Sequence, residues 1–373
     1  MGFSLTKLGV RLVLYAGLGV PLPVSKSVLD AVEQVEVFTS RDYGSGFRIT
    51  LRMTRTPFCE LSLLKDPQLL PRARVVIGLL VGVVPQVLID GIIETHDVQP
   101  GSEAGEILLT VTGRDLTVVM DQLAQSLVFP ACDATKIATA VLAPYAAYGI
   151  LPMITAVPAQ PNPETFPAKT ETDLACLKRL ARACNAVFYI EPTAFGASTA
   201  YLGAKSRVAI PQSALRIERG PMTNVQSVSI SHTPNEQVAV GGVVFVPGTS
   251  VAVTVPPLPS VGTVPLALAR DVPTRTRNLP EVAKMSASQA LLALQAAADA
   301  GAETVHVRGT LDILRYGKVL RCNRPVGVVG AGLSFDGFYN VTSVSHDITR
   351  NSYTQSFTLA REGKVSTSPM VVP

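Results

Sequence analysis

Apolar and polar side chains alternate with a period of two over much of this chain, and the alternation is clearest near its end. Tyr353, Gln355, Phe357, Leu359 and Arg361 alternate with Thr354, Ser356, Thr358 and Ala360, the pattern of a strand with one face buried. Before them, Tyr339 to Ile348 is rich in β-formers, and Thr349 to Ser352 is a short polar connection. Asp336-Gly337 has turn chemistry, because Gly tolerates positive φ and Asp can bond its own backbone. The stretch Phe335 to Glu362 therefore predicts a turn, a strand, a hairpin loop and a strand. An earlier stretch has the same order: Asp90-Gly91, the strand Ile92 to Asp97, a polar loop Val98 to Gly105, and the alternating strand Glu106 to Asp115. His96-Asp97 stands against His346-Asp347, and Arg114-Asp115 against Arg361-Glu362. Two copies of such a hairpin suggest two related β domains.

The remaining pattern fills in the units around these hairpins. Val10 to Tyr15 and Val35 to Phe38 read as strands. Phe47, Ile49, Leu51 and Met53 alternate with Arg48, Thr50, Arg52 and Thr54. Val75 to Ile93 is the most apolar window. Pro85 and Asp90 inside it favour two buried strands over a membrane span, since a central Asp would cost about 2.5–3.5 kcal/mol. Asp115 to Leu127 is expected to be helical. Asp133 to Tyr148 carries Ile137, Val141, Tyr145 and Tyr148 on one helical face, kinked or shortened at Pro144. Thr170 or Thr172 caps a helix with Leu174, Leu177, Leu180 and Cys184 on one side. Val187 to Ile190, Val208 to Ile217 and Val225 to His232 return to strand. Pro247 to Pro280 reads as an extended, loop-rich insertion. Ser286 and Gln289 form a capping box for a helix Gln289 to Ala300, closed by Gly301. Leu311 to Cys322 and Val326 to Gly330 complete the second β domain, and Lys364 to Pro373 is read as a frayed tail.

The 373 residues suffice for two or more domains, with 47% hydrophobic and 16% charged residues. A net charge of +4 without a dense basic stripe argues against specific nucleic-acid binding. Cys59, Cys132, Cys176, Cys184 and Cys322 are odd in number and widely spaced, which reads as reduced thiols. The N-terminus, with Lys7 and Arg11 before an apolar run, is read as an opening strand rather than a signal peptide. Met1-Gly2 with Thr6 fits the myristoylation pattern, without support elsewhere in the sequence. Ser4 with Lys7 and Ser62 with Lys65 match Ser-x-x-Lys but lack companion motifs. Asn340-Val341-Thr342 is a glycosylation sequon inside an expected strand. His96 and His346 could hold a metal or serve acid-base chemistry. The bland reading, a strand-end histidine bonded locally, is preferred, because no further His or Cys lies close in sequence. No catalytic, cofactor-binding or metal residues are assigned.

The order of elements resembles the late-control gene D protein family, the baseplate hubs of contractile phage tails and related injection particles. The resemblance rests on Asp336 to Arg361, with Gly337, Tyr339, Val341, Val344, His346, Tyr353, Phe357, Leu359 and Arg361 at family-like positions. It also rests on Thr172 to Tyr189 and on Arg11 to Phe47. It implies a mainly β fold with α/β insertions (α+β), in which two tube-protein-like antiparallel β-barrels are joined by inserted subdomains. The boundaries expected are 1–115 for the first tube-like domain and 116–206 for the α/β insertion. The second domain would comprise 207–235 and 303–363, the proline-rich and helical insertion 236–302, and the tail 364–373. The resemblance further implies a non-enzymatic homotrimeric ring adapting a sixfold inner tube to a threefold spike around a central conduit. Its partners would be an inner-tube or tube-initiator protein, a separate trimeric spike protein and other baseplate proteins, with no cofactor and no membrane insertion. Assembly would occur in the bacterial cytoplasm, and the product would be part of a tail or a released particle. Two rival readings are a cell-wall hydrolase of a tail tip and a secreted β-rich binding module.

Overall fold

The computed structural model describes residues 4–5, 10–53, 63–81, 84–101, 106–129, 132–155, 168–205, 210–218, 220–234, 237–245, 252–258 and 266–367. Cys59, Ser62, Lys7, Thr6 and the Met1-Gly2 terminus lie outside them, and with them one member of each Ser-x-x-Lys match and the whole myristoylation pattern.

In the first unit, β1 (Ser4–Leu5) and β3 (Leu22–Pro23) flank β2 (Val10–Gly17). The short helix α1 (Lys26–Ala31), capped by Ser25, leads into β4 (Val32–Ser40), β5 (Gly46–Met53) and β6 (Arg74–Val81). The long β7 (Val84–Pro100) and β8 (Ile107–Asp115) close it. An α/β segment follows, with β9 (Leu127–Val128), α2 (Ala134–Leu142), β10 (Ile150–Ile154), β11 (Ala168–Lys169), α3 (Asp173–Ala183), β12 (Ala186–Ala194) and β13 (Ala197–Ala204). The second unit opens with β14 (Gln212–Arg216) and β15 (Val225–His232). It is interrupted by β16 (Val238–Phe245), β17 (Ala252–Leu258), β18 (Ala267–Arg270), β19 (Arg275–Asn278) and α4 (Ala287–Ala300). It resumes with β20 (Val305–Leu311), α5 (Ile313–Tyr316), β21 (Pro325–Val329), β22 (Gly337–Thr349), β23 (Tyr353–Arg361) and β24 (Gly363–Ser366).

The mainly β, α+β architecture is the one the alternation predicts. The closed barrels are not formed. Among the described residues the two units share one open fourteen-stranded sheet, whose main path runs β1-β2-β6-β7-β8-β5-β4-β22-β23-β20-β15, with β3 beside β2, β21 beside β22 and β14 beside β21. The barrels give way because β22 has two partners on one edge. Its first residues pair with β21, and residues 343–349 pair with β4 of the first unit. One apolar cluster runs under both units, from Leu12 and Ile77 to Leu311 and Leu359. Smaller clusters lie beneath α2 and α3, and beneath α4.

Local chemistry explains the helices. Asp133 caps α2, and Pro144 opens the tighter 3-10 turn Ala143–Tyr148, which ends at left-handed Gly149. Thr172 caps α3, and its Leu174, Leu177 and Leu180 are buried. The Ser286–Gln289 capping box is present, and the helix begins two residues earlier than expected.

Several expectations are corrected. Asp115 to Leu127 is not a helix beyond the short 3-10 turn Leu116–Met120, which the Asp115 side chain caps. Leu311 to Cys322, counted with the second β domain, leaves β20 at Leu311 and holds the one-turn helix α5. Pro247 to Pro280 contains β17, β18 and β19; Pro256 and Pro257 fit in β17 because it is an edge strand. Of the supposed frayed tail, Lys364 to Ser366 belong to β24, which pairs with β18 through Ser366 and Ala267. Sequence reasoning missed that pairing because its partner lies about a hundred residues away.

Candidate assembly interface

The two units repeat one another strand for strand. β4, β5, β6, β7 and β8 pair in the order β6-β7-β8-β5-β4; β15, β20, β21, β22 and β23 pair in the order β21-β22-β23-β20-β15. The irregularities match as well. Glu33 is skipped between Val32 and Gln34 where β4 meets β5, as Gln226 is between Val225 and Ser227 where β15 meets β20. Glu94 is skipped between Ile93 and Thr95 where β7 meets β8, as Thr342 is between Val341 and Ser343 where β22 meets β23. A bulge fixes register, so two shared bulges tie the copies together residue by residue. A sixth strand departs from the repeat: β2 runs antiparallel to β6, whereas β14 runs parallel to β21.

This register corrects the alignment of the hairpins. Aligned on their bulges, His346 stands where Val98 stands, and His96 where Val344 stands. Arg361 stands where Asp115 stands. The shared His-Asp spelling is therefore not an equivalence of place. Asp90 and Gly91 are not a turn pair either; they lie in the middle of β7. Gly91 is needed there because a Cβ would strike the Arg114 carbonyl across the sheet.

The structure gathers some of the singled-out residues and separates others. Asp336, Gly337, Tyr339 and Arg361 meet at the start of β22. Gly337 has φ +120°, and Asp336 accepts a hydrogen bond from the Ala331 amide at 2.7 Å. Arg361 is fully buried and donates to the carbonyls of Gly363, Asp336 and Ser334 at 2.9, 3.0 and 3.1 Å. Its guanidinium lies 4.3 Å from the Tyr339 ring centre. Burial pushes the Tyr339 phenol up to about 12. Phe357 and Leu359 are core residues.

His346 lies apart from this cluster, buried, with Nδ1 2.9 Å from the Tyr353 hydroxyl. Burial, helped by the charge of Arg321, lowers it to about 3, so the ring is neutral at pH 7. His96 bonds the Leu69 carbonyl through Nε2 at 2.6 Å. His346 thus bonds locally, seven residues along its own hairpin, whereas the partner of His96 lies 27 residues away. Asp347 accepts from the Gln34 side chain at 2.9 Å, across the seam between β22 and β4. Asp97 is exposed and accepts from Gln99.

Buried charges at the junctions were missed by sequence reasoning. Asp90 takes two hydrogen bonds from Arg74, at 2.8 and 2.6 Å, which explains a carboxylate inside the most apolar window. Arg41, in the turn after β4, grips Glu303 at 2.9 and 2.7 Å. Burial alone would raise Glu303, but the hydrogen bonds and charge of Arg41 outweigh it and hold the carboxyl at about 2. Arg324 pairs with Glu191, joining the α/β segment to the second unit. Among the described residues, no three His, Cys, Asp or Glu side chains converge as a metal site would need, and no helix is long and apolar enough to cross a membrane. Cys176, Cys184 and Cys322 are free thiols.

What remains notable is the state of the strand edges. β4 is covered on both edges, by β5 and β22, and its Val35 and Val37 are 0% exposed. β15 occupies the same place in the second unit, yet only β20 covers it among the described residues. Its Val228 and Ile230 are correspondingly only half-buried. Likewise, β22 is paired along residues 343–349 on the edge facing β4, whereas β7 beyond residue 93 has no strand on the matching edge among the described residues. Val98, at the place of buried His346, is 40% exposed.

Neither a protein-family model nor a curated protein matches the sequence. The fold, however, is similar to solved structures of one broad class, proteins of phage tails and injection machines. A 43 kDa tail protein of prophage MuSo2 from Shewanella oneidensis aligns over 95% of this chain and 98% of its own, with TM-score 0.65 and 16% identity. A tail protein from Neisseria meningitidis MC58 aligns over 94% and 97%, with TM-score 0.64 and 14% identity. An E. coli component of the type VI secretion system, described as similar to T4 bacteriophage tail proteins gp27 and gp5, covers 92% of this chain and 77% of its own, with TM-score 0.55 and 11% identity. At these identities the likeness is one of fold.

Proposed function

We propose that this chain is a structural, non-enzymatic hub of a contractile tail or injection machine. Three copies would form a ring that presents six similar β units to a sixfold inner tube and receives a threefold spike on its other end. The observation that carries this reading is the internal repeat: two units of one strand order, with shared bulges, joined strand to strand through β4 and β22. Symmetry matching needs such a repeat, because three chains of two like units approximate six. The full-length similarity in fold to tail and type VI secretion proteins supports the same reading. The hub would work by fit rather than by chemistry, as a rigid collar around a conduit, with tube and spike proteins as partners and a place in a tail or released particle.

The test is the mass of the purified chain in solution by light scattering, alone and mixed with the tube and spike proteins encoded beside it. About three times the chain mass, alone or with a spike partner, is the expected result. A chain that stays monomeric with both partners overturns the reading.

A further inference from the structure

We propose that the open edge of β15 pairs with the open edge of β7 in a second copy of this chain, in a register already written inside the molecule by β4 and β22. The inference rests on the hub reading and goes further: it names the strands, their direction and the residue pairs.

Within the chain, β4 and β22 run antiparallel, with Thr39 opposite Val344, Phe38 opposite Ser345, Val37 opposite His346 and Glu36 opposite Asp347. The matched bulges give each of these residues a counterpart. On the β15 side, His232, Ser231, Ile230 and Ser229 stand for Thr39, Phe38, Val37 and Glu36. On the β7 side, His96, Asp97, Val98 and Gln99 stand for Val344, Ser345, His346 and Asp347. Transferred to two copies, the internal seam therefore sets His96 opposite His232, Asp97 opposite Ser231, Val98 opposite Ile230 and Gln99 opposite Ser229.

The chemistry of the two edges fits this seam. An edge strand leaves a row of N–H and C=O groups open to pairing. Val98 and Ile230 fall on the core-facing side, where the counterparts His346 and Val37 are 3% and 0% exposed. Their own exposure is what removing the neighbouring strand would produce. Asp97, Gln99, Ser229 and Ser231 fall on the polar side, as Ser345, Asp347, Glu36 and Phe38 do in the internal seam. The seam also has a stop. The Gly101 amide bonds Glu106 within the hairpin, so the preceding nitrogen, that of Pro100, faces the open edge and has no hydrogen to donate. Pairing thus ends at Gln99, and the short ladder resists indiscriminate extension by other strands. Repeating this step returns each copy's β15 to the next copy's β7, which makes the contact head-to-tail rather than twofold, the kind a closed ring of three requires.

Disulfide trapping tests the register. The full chain carrying Asp97→Cys and Ser231→Cys is purified and oxidised with copper phenanthroline, which takes two electrons from the thiol pair and leaves a disulfide. Both positions are exposed on the polar face, so folding is expected to survive, and circular dichroism checks it. Mass by light scattering is read in parallel. The expected result is a covalent ladder up to trimer on a non-reducing gel. The single variants and the shifted pair Asp97→Cys with Ser227→Cys should give at least tenfold less. A trimer by light scattering without the Asp97–Ser231 link, or with the shifted pair linking as well, overturns this seam and leaves the hub reading standing. A chain that is monomeric with tube and spike proteins present overturns both.

Discussion

His346 is held neutral by its surroundings: it is buried, faces the charge of Arg321 and shares a hydrogen bond with Tyr353. Its folded value, about 3, lies below the unfolded 6.5. Between those values the unfolded chain binds the extra proton, so stability is full above pH 6.5 and falls as pH drops toward 3. Going from pH 7 to 5 should cost about 2 kcal/mol from this group, taking about 1.4 kcal/mol per unit below 6.5. Denaturant unfolding at both pH values checks it; His346→Gln should remove that part of the slope, and an unchanged slope would refute the assignment. Arg361 poses the opposite problem, a buried charge held by three carbonyl dipoles and the Tyr339 ring, with the charges of Glu362 and Asp336 acting in its favour. Arg361→Ala would leave those carbonyls unpaired and empty a large volume. A loss of roughly 3–5 kcal/mol is expected, read as a lowered unfolding midpoint or as insoluble protein.

The strands β22 and β23 are where most of the fold could be read from the sequence. Phe357 and Leu359 were placed on a buried face by alternation alone, and they lie there with 4% and 0% exposure. Gly309 on β20 makes room for the Phe357 ring, since an added Cβ would stand 2.8 Å from it and would also strike the Ser227 carbonyl. Phe357→Ala and Leu359→Ala should each lower stability by about 2–5 kcal/mol, measured by chemical denaturation. Unchanged unfolding midpoints would show that these positions do not carry the core. The hairpin motif itself was read less well. Alternation survives a shift of two residues, because the side chains keep their faces, so the His-Asp match was satisfied in a displaced register.

At the scale of the whole molecule, the two β units differ in the direction of their sixth strand and in what covers their edges. The first unit's β4 is paired on both edges, by β5 and β22; the second unit's β15 is paired only with β20 among the described residues. On the proposed seam, a ring of three would bury Val98 and Ile230. The mass and trapping experiments above therefore read the same physical fact at two levels, the number of copies and the strands through which they meet. The ion pair Arg41–Glu303 ties the first unit to the start of the second, and Arg324–Glu191 ties the α/β segment to the second. Such pairs fix orientation more than they add stability, since desolvation consumes much of their attraction.

The sequence by itself determined the local structure and the class of fold. Period-two alternation specified the strands at Val10, Phe47, Val225 and Tyr353. Capping side chains specified α3 and α4, and the recurrence of one hairpin specified two related units. These are short-range signals, carried by neighbouring side chains and the backbone they favour. Only the tertiary structure decided which strand lies beside which. The seam of β4 with β22 joins residues about three hundred positions apart, and β24 finds β18 about a hundred residues away. The salt bridge of Arg74 with Asp90 depends on two strands meeting in one register. Pairing across such distances is fixed by burial of a shared core and by bulges that set the register. Neither leaves a mark that alternation along one strand can reveal.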